Sequence, residues 1–491
     1  MSTVTSAVGS LTECSALGLA AAIRAGEVSA RDAVEAHIER LQAVQPRINA
    51  LAAERFAAAR REAEAADRRV VEAGGAERLP PLLGVPCTIK ESIALAGMPN
   101  SAGLLARRDH RAAETAPAAA RLVEAGAIPL GVTNTSEMTM WIESENFVYG
   151  RTSNAYDPSR VAGGSSGGEG AAVGSGGSPV GLGSDIGGSI RLPAFFNGVF
   201  GHKATAWVVP NTGHFPAAEG EVTRLLAIGP LARRAEDLMP VLRAIAGPDG
   251  ADPYCREVEL GDPAKVSLDG LEVTLSEQTS HVPVSRELRE ARDRAAQALV
   301  AAGARVRHVP LRSMRRALEL YLVALQSGAT KGFRELLEEE TGAAGRLALH
   351  RVGWGALRRR GPHTIPTVIL LATESLFARM PERRMRRALA AGDALAREVE
   401  AVIGDGVLLH PPHARVAPRH GHTVGRGWLV TPTAVFNLLG LPVTQVPLGL
   451  NPGGLPLGVQ VAAGPDRDHV AIAVALELER AFGGWVPPPA P

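Results

Sequence analysis

GGSSGGEGAAVGSGGSPVGLGSDIGG, residues 163–188, leads directly into Ser189-Ile190-Arg191. Twelve of its 26 residues are glycine, against 54 in the whole chain of 491, and each costs the folded state backbone entropy that a better helix former would not. Such density is tolerated where backbone must come close to something, so the stretch reads as a long loop that delivers one serine behind a glycine pair. Two chemistries use glycine in this way. A phosphate cradle would need GxxxxGKS or GxxxxGKT, which is absent, or glycines set between a strand and a helix with an acidic residue about 20 positions on, which fits poorly. A nucleophile loop aims backbone N–H groups at the oxyanion formed when a serine attacks a carbonyl, and Ile186, Gly187 and Gly188 directly precede Ser189.

A serine hydroxyl is a weak nucleophile at neutral pH and needs a base. No GxSxG elbow surrounds Ser189, and no upstream Asp or His stands in a setting that suggests a triad. Lysine can serve when desolvation and nearby cations lower its pKa enough to leave it neutral. Residues 79–95, LPPLLGVPCTIKESIAL, read as a buried strand from Leu82 to Ile89 with Lys90 at its end. A lysine there is either carried to solvent on its long stem or held in a site. If held, Lys90 is the base, and Ser165 or Ser166 relays the proton between it and Ser189.

Composition narrows the partners. Lys+Arg 52 against Asp+Glu 51 leaves a net charge of +1, so no global field favours nucleic acid or acidic lipid. Cys14, Cys87 and Cys255 are odd in number and far apart, which suits a reducing compartment better than a disulfide framework. Neither a signal peptide nor a long apolar run is read, so a cytoplasmic protein without a transmembrane segment is expected, with no peripheral membrane contact.

Along the chain, two helices are expected over 15–45, capped by Ser15 and by Ser29 and broken at Pro46. A strand follows over 48–53, then a helix over 54–72, a helix over 116–125 and the strand 127–134. This alternation implies a largely parallel or mixed sheet. After the glycine stretch, Phe195 to Val209 reads as strand and Ala235 to Ile245 as helix. The alternation resumes with a strand at 271–275, a helix at 285–302 and a strand at 305–309. Residues 313–403 read as mostly helical, with Arg clusters at 315–316, 358–360 and 383–387 beside apolar runs such as Val368 to Leu371. Contact with a membrane surface and cover for an apolar substrate channel are both open, and solvated faces over a core are the favoured reading. Residues 441–463 read as two strands joined through Asn451-Pro452-Gly453-Gly454, and a helix over 467–481 closes the chain.

Taken together, GGSSGG at 163–168, Asp185-Ile186-Gly187-Gly188-Ser189-Ile190-Arg191 and the strand-borne Lys90 resemble the hallmarks of the amidase signature family of Ser-cisSer-Lys hydrolases. The likeness extends through GVTNTSEMTMW (131–141), LPAFFNGVFGHK (192–203), LLGLPVTQVPLG (438–449) and DHVAIAVALELERAFGGW (468–485), and is weak over 311–400. Within the family, the FFNGVFGHK run and the Phe-Gly-Gly-Trp ending are most similar to the second type of fatty-acid amide hydrolase and its bacterial relatives.

The resemblance implies an α/β fold: a large twisted mixed sheet with helices on both faces. It implies one domain over 1–491, with an N-terminal helical part (1–75), a signature core (76–310), a helical substrate-covering insertion (311–405) and C-terminal strands and helix (406–491). It makes Ser189 the nucleophile, Ser165 the bridging serine with the cis peptide bond and Lys90 the base. The amides of Ile186, Gly187, Gly188 and Ser189 become the oxyanion hole, and Ser166, Asp185 and Arg191 support the loop. Thr139, between Met138 and Met140, falls where a backbone carbonyl lies near the leaving nitrogen, and all three are expected to bind substrate. The implied reaction is hydrolysis of a linear amide with a hydrophobic acyl or aryl group, with some ester cleavage. The partner is that small-molecule amide, no metal or cofactor is implied, and a homodimer is left open. A glutamine-hydrolysing subunit of an amidotransferase and a non-catalytic binding module are the competing readings.

Other features carry less. His410, His413, His420 and His422 lie in HPPHARVAPRHGH and read as an ordinary loop bordering the substrate entrance, since no tetrahedral pattern with cysteine accompanies them. Cys87 reads as a small buried hydrophobe. His202-Lys203-Ala204-Thr205 replaces the Lys-Pro pair common in relatives, a change expected to alter loop rigidity and not chemistry.

Overall fold

Lys90 closes the third strand of an eleven-stranded sheet, and the arrangement of that sheet decides what surrounds it. The computed structural model describes residues 11–276, 282–342 and 361–489, apart from 74, 76 and 77, together with residue 353. In chain order the strands are β1 (Leu51–Glu54), β2 (Pro86–Lys90), β3 (Ile128–Thr133), a small separate pair β4 (Glu145–Asn146) and β5 (Gly150–Arg151), β6 (Val180–Asp185), β7 (Phe200–Lys203), β8 (Ala227–Ala232), β9 (Glu272–Ser276), β10 (Arg305–Val309), β11 (Val407–His410), β12 (Val443–Leu450) and β13 (Pro456–Ala463). The main sheet runs β1-β3-β2-β6-β8-β7-β12-β13-β11-β9-β10. Strands β3, β2 and β6 are mutually parallel, as are β11, β9 and β10, and the strands between these groups are antiparallel. The mixed α/β sheet expected from the alternation is therefore present.

Strands β2, β3, β6, β8 and β13 are buried along their whole length, which requires cover on both faces of the sheet. One large apolar cluster runs from Leu19 and Leu41 through Ile89, Leu182 and Phe195 to Val461 and Leu478. A second joins the helices Ala317–Ser327, Glu382–Ile403 and Thr431–Leu439 through Leu320, Leu395 and Phe436. No helix among the described residues is long and apolar enough to cross a membrane.

Most expected elements are present within a few residues. Ser15 accepts from the Gly18 amide and Ser29 from that of Asp32, as N-caps should. Four readings need correction. The helix Ala30–Ile48 continues through Pro46, which lies in its last turn, and ends at Asn49 with φ 47°. Most of 195–209 departs from strand: the helix Arg191–Phe196 begins where Asp185 accepts the Ile190 and Arg191 amides, and only Phe200–Lys203 is extended, with turns following it. Strand β11 and the helix Thr431–Leu439 were not anticipated. Finally, the glycine stretch is not a long loop: it contains the buried helix Gly167–Gly174 and the central strand β6. Glycine serves close approach there, because a side chain at Gly168 would drive into the backbone of Asn134 and Ala50.

In the stretch 311–405, expected to cover the substrate, the helices among the described residues include Ala317–Ser327, Phe333–Thr341, Ile365–Phe377 and Glu382–Ile403. Arg315, Arg316, Arg383, Arg384, Arg386 and Arg387 are exposed, as the solvated-face reading requires, and the cluster at 358–360 lies outside the described residues.

Candidate active site

Lys90 is wholly buried, and its Nζ lies 2.6 Å from Ser165 Oγ and 2.9 Å from Ser184 Oγ. Strands β2 and β6 run parallel with Ile89 opposite Leu182, so Lys90 and Ser184 leave adjacent strand ends together. Burial lowers the Lys90 pKa to about 7, against the opposing pull of Asp185, Glu169 and Glu91. Of the two fates open to a strand-end lysine, the structure takes the held one.

The Gly164–Ser165 peptide is cis. Ser165 is fixed further by its carbonyl, which accepts from Ser144 Oγ at 2.9 Å, and Ser144 Oγ also accepts the Gly167 amide at 2.9 Å. Ser166 joins the two halves of the site: its N–H donates to the Ser189 carbonyl at 3.2 Å and its hydroxyl to the Ser184 carbonyl at 3.2 Å.

Asp185 and Arg191 hold the turn that presents Ser189. Both are fully buried and meet through two bonds of 3.0 Å. Arg191 also donates to the Thr433 carbonyl, Gln460 Oε1 and Asn437 Oδ1, so its charge is surrounded by acceptors. The Arg191 guanidinium and the Asn437 amide outweigh burial and hold the Asp185 carboxyl well below the usual carboxylate range. Asp185 accepts the Gly188 amide at 2.7 Å as well. That amide is therefore committed elsewhere, a correction to the expectation of four oxyanion donors. Among the described residues the amides of Ile186, Gly187 and Ser189 have no acceptor. The carbonyls of the same segment are pinned from outside the sheet, Ile186 by Tyr321 Oη at 3.1 Å and Gly187 by Thr433 Oγ1 at 2.6 Å.

Two cavities meet here. One, about 840 Å³ counted out to its mouth, is lined by Ser165, Ser184, His214, Val222, Leu226 and Phe333. The other, about 1000 Å³ on the same measure, is lined by Ser189, Gly187, Trp141, Leu318, Tyr321, Ile369 and Trp428. Thr139, Met140, Ile186 and Leu325 border both, and Met138 borders the first. Met138 and Thr139 have φ of 55° and 57°, a left-handed backbone that non-glycine residues rarely adopt. The neighbouring Glu137 accepts from His363 Nδ1 at 2.8 Å, the Thr364 amide at 2.7 Å and Thr367 Oγ1 at 2.7 Å, tying this turn to the covering helix Ile365–Phe377.

Several residues at the site escaped the sequence reading. Glu169, on the helix after Ser165, accepts from Thr88 and Thr133 and is pushed up to about 8 by burial. Ser184 and His214 stand next to Lys90, and Tyr321, Thr433 and Asn437 hold the turn before Ser189. Polar residues inside apolar runs, such as Asn437 in Phe436-Asn437-Leu438 and Gln460 in Val459-Gln460-Val461, were the available signal. The histidines of 410–422 are not gathered at this centre: His410 and His413 use Nδ1 on the carbonyls of Pro411 and Arg415, and His420 Nε2 faces the Pro158 carbonyl. Among the described residues no three His, Cys, Asp or Glu side chains are grouped to hold a metal ion. Cys87 is buried, its thiol pushed up by desolvation.

Comparison with known proteins makes this chain an amide-hydrolysing enzyme. The chain belongs to the Amidase family, whose model matches residues 32–471. Over 96% of its length it is 44% identical to Fatty-acid amide hydrolase 2-B of Danio rerio and 41% identical to Fatty-acid amide hydrolase 2 of Homo sapiens, with 90% of each relative covered. Among solved structures, that of 6-aminohexanoate cyclic dimer hydrolase superposes with a TM-score of 0.80 at 26% identity, covering 96% of this chain and 97% of the other. The resemblance drawn from the glycine stretch is thus borne out.

Proposed function

We propose that the protein hydrolyses linear amides bearing a hydrophobic acyl or aryl group, through an acyl-enzyme on Ser189 with Ser165 and Lys90 as the proton relay. The observation that carries this reading is Lys90: a fully buried amine of lowered pKa, 2.6 Å from the Oγ of Ser165, which lines a cavity that shares Thr139, Met140 and Ile186 with the one lined by Ser189. Near neutral pH much of such an amine is unprotonated and can accept a proton.

Ser189 Oγ attacks the amide carbon; its proton passes to Ser165 as Ser165 passes its own to Lys90. The oxyanion is held by the amides of Ile186, Gly187 and Ser189, with Gly188 serving the turn through Asp185. The relay then runs backwards, placing the proton on the leaving nitrogen as the C–N bond breaks and ammonia or an amine departs. Water attacks the resulting ester by the same relay, releasing a carboxylic acid and restoring Ser189. An ester group meets the same machinery, so some esterase activity follows. The apolar lining from Trp141, Leu318, Leu322, Ile369 and Trp428 favours a hydrophobic acyl group.

The deciding experiment measures amine release from amides and anilides of increasing acyl length, with Ser189→Ala and Lys90→Met as controls. Turnover that rises with chain length and vanishes in both variants supports the reading. Turnover of glutamine only in the presence of a partner would favour an amidotransferase subunit, and labelling of Ser189 by a fluorophosphonate is absent if the protein is a binding module.

A further inference from the structure

Beyond Ser184, which contacts Lys90, stands His214, and nothing in the proposed reaction uses it. Its Nε2 lies 2.9 Å from Ser184 Oγ and 3.2 Å from Ser92 Oγ, and its Nδ1 lies 2.8 Å from the Pro216 carbonyl oxygen. A carbonyl can only accept, so Nδ1 carries the hydrogen. Burial, reinforced by the charge of Lys90, lowers the imidazole pKa to about 3, so the ring is neutral and Nε2 holds a bare lone pair. Only a donor satisfies that lone pair, and the nearer one is the Ser184 hydroxyl.

We infer that His214 is a positioning residue that fixes the direction of the chain His214–Ser184–Lys90–Ser165, so that the lone pair of Lys90 is turned toward Ser165. The reasoning is a count of hydrogens. Ser184 has one O–H, and His214 takes it. Ser184 can then meet Lys90 only as an acceptor, which draws one of the two N–H bonds of the neutral amine toward Ser184 at 2.9 Å. The amine's single lone pair is left for the hydroxyl of Ser165 at 2.6 Å. Without His214 the Ser184 hydroxyl is free to rotate and donate to Lys90, occupying the lone pair that Ser165 needs. The charged groups that bear on Lys90, Asp185, Glu169 and Glu91, pull its pKa up, and none of them sets the direction of its hydrogen bonds.

This inference rests on the proposed role of Lys90 and Ser165 and adds what orients them. The test is a double-mutant cycle read by steady-state kinetics on a turned-over anilide. His214→Phe is expected to lower kcat about tenfold with KM within about twofold, as loss of an interaction needed only in the chemical step requires. In a Ser184→Ala background, where no hydroxyl competes, the same substitution should change kcat by less than about twofold. His214→Gln, which keeps an acceptor for Ser184, should recover most of the lost kcat. An equal loss in both backgrounds, or no loss in either, overturns the inference. Because His214→Phe stands in a buried site and can fail to fold, the wild-type protein with ¹⁵N-labelled histidine supplies an independent readout. His214 should give the neutral, Nδ1-protonated pattern from pH 6 to 9, and an Nε2-protonated or cationic ring overturns the proposal. If Ser189→Ala or Lys90→Met still turns over substrate, the proposed function itself fails; if both are dead while the His214 results go the other way, this inference alone fails.

Discussion

The phenol of Tyr321 donates to the carbonyl of Ile186 at 3.1 Å, so a helix of the covering region holds the first peptide of the turn before Ser189. A trans peptide points its C=O and N–H in opposite directions, and fixing the Ile186 oxygen on one side fixes the Gly187 N–H on the other. Tyr321→Phe removes this hold. With one net hydrogen bond worth about 1 kcal/mol, kcat should fall roughly fivefold while KM stays nearly constant. Unchanged kcat in steady-state assays would mean that Thr433, on the Gly187 carbonyl, suffices alone.

The lowered pKa of Lys90 predicts a pH profile. Activity should rise with pH through a midpoint near 7 as the amine loses its proton, and Lys90→Arg, which stays protonated, should abolish turnover. A profile flat from pH 5 to 9 would remove Lys90 from the base role.

The same shift bears on stability with a definite sign. Lys90 has its folded pKa lowered from 10.5 to about 7, so between those values the unfolded chain binds the extra proton. Lys90's contribution therefore becomes more favourable as pH rises from about 7 to 10.5, and its full penalty is present below 7. Lys90→Met should raise the melting temperature relative to wild type at pH 6 and lose that advantage by pH 10. Lys203, also buried and lowered to about 7, adds a slope of the same sign that remains in the variant.

Breaking the Asp185–Arg191 pair leaves one buried charge without its partner. Arg191→Met should cost about 3 to 5 kcal/mol, far more than any exposed pair in the chain would. Denaturant unfolding measures this, and a loss below about 1 kcal/mol would mean that Asn437 and the backbone amides alone hold Asp185.

Glu137→Gln should act on binding more than on chemistry. The carboxylate gathers His363, Thr364 and Thr367 at the head of the helix Ile365–Phe377, beside the Met138-Thr139 turn, whose Thr139 lines both cavities. A several-fold rise in KM with a smaller change in kcat is expected, largest for the longest acyl chains. A uniform fall in kcat across chain lengths would instead place the damage at the reacting centre.

How much of this could be read in advance depended on whether the signal was local. The serine behind Gly187-Gly188 and the β2 strand are local patterns, and both were legible. The nature of the glycine stretch was not, because glycine is a poor helix former and only packing against Asn134, Ala50 and Pro193 makes Gly167–Gly174 a helix. Lys90 was locally ambiguous; its burial follows from strands β3 and β6 on either side, neither adjacent to it in sequence. Ser184 and His214 gave no signal, since their meaning arises only when residues far apart in the chain arrive at one point. Gly188 misled for a related reason: its position suggested an oxyanion donor, and only the fold shows Asp185 claiming that N–H.

The glycine at 168 leaves no slack between three stretches of backbone, and this divides the molecule by how readily it can change. A substitution at Gly168 would press the Ser165-Ser166 mount away from Asn134 and Ala50, so a change there is paid directly in the relay. The helices that wall the apolar cavity, by contrast, reach the centre mainly through side chains such as Leu318, Leu322 and Ile369. New substrates can be accommodated by altering those walls one residue at a time while the reacting groups keep their places, so selection can act on substrate preference without reopening the chemistry.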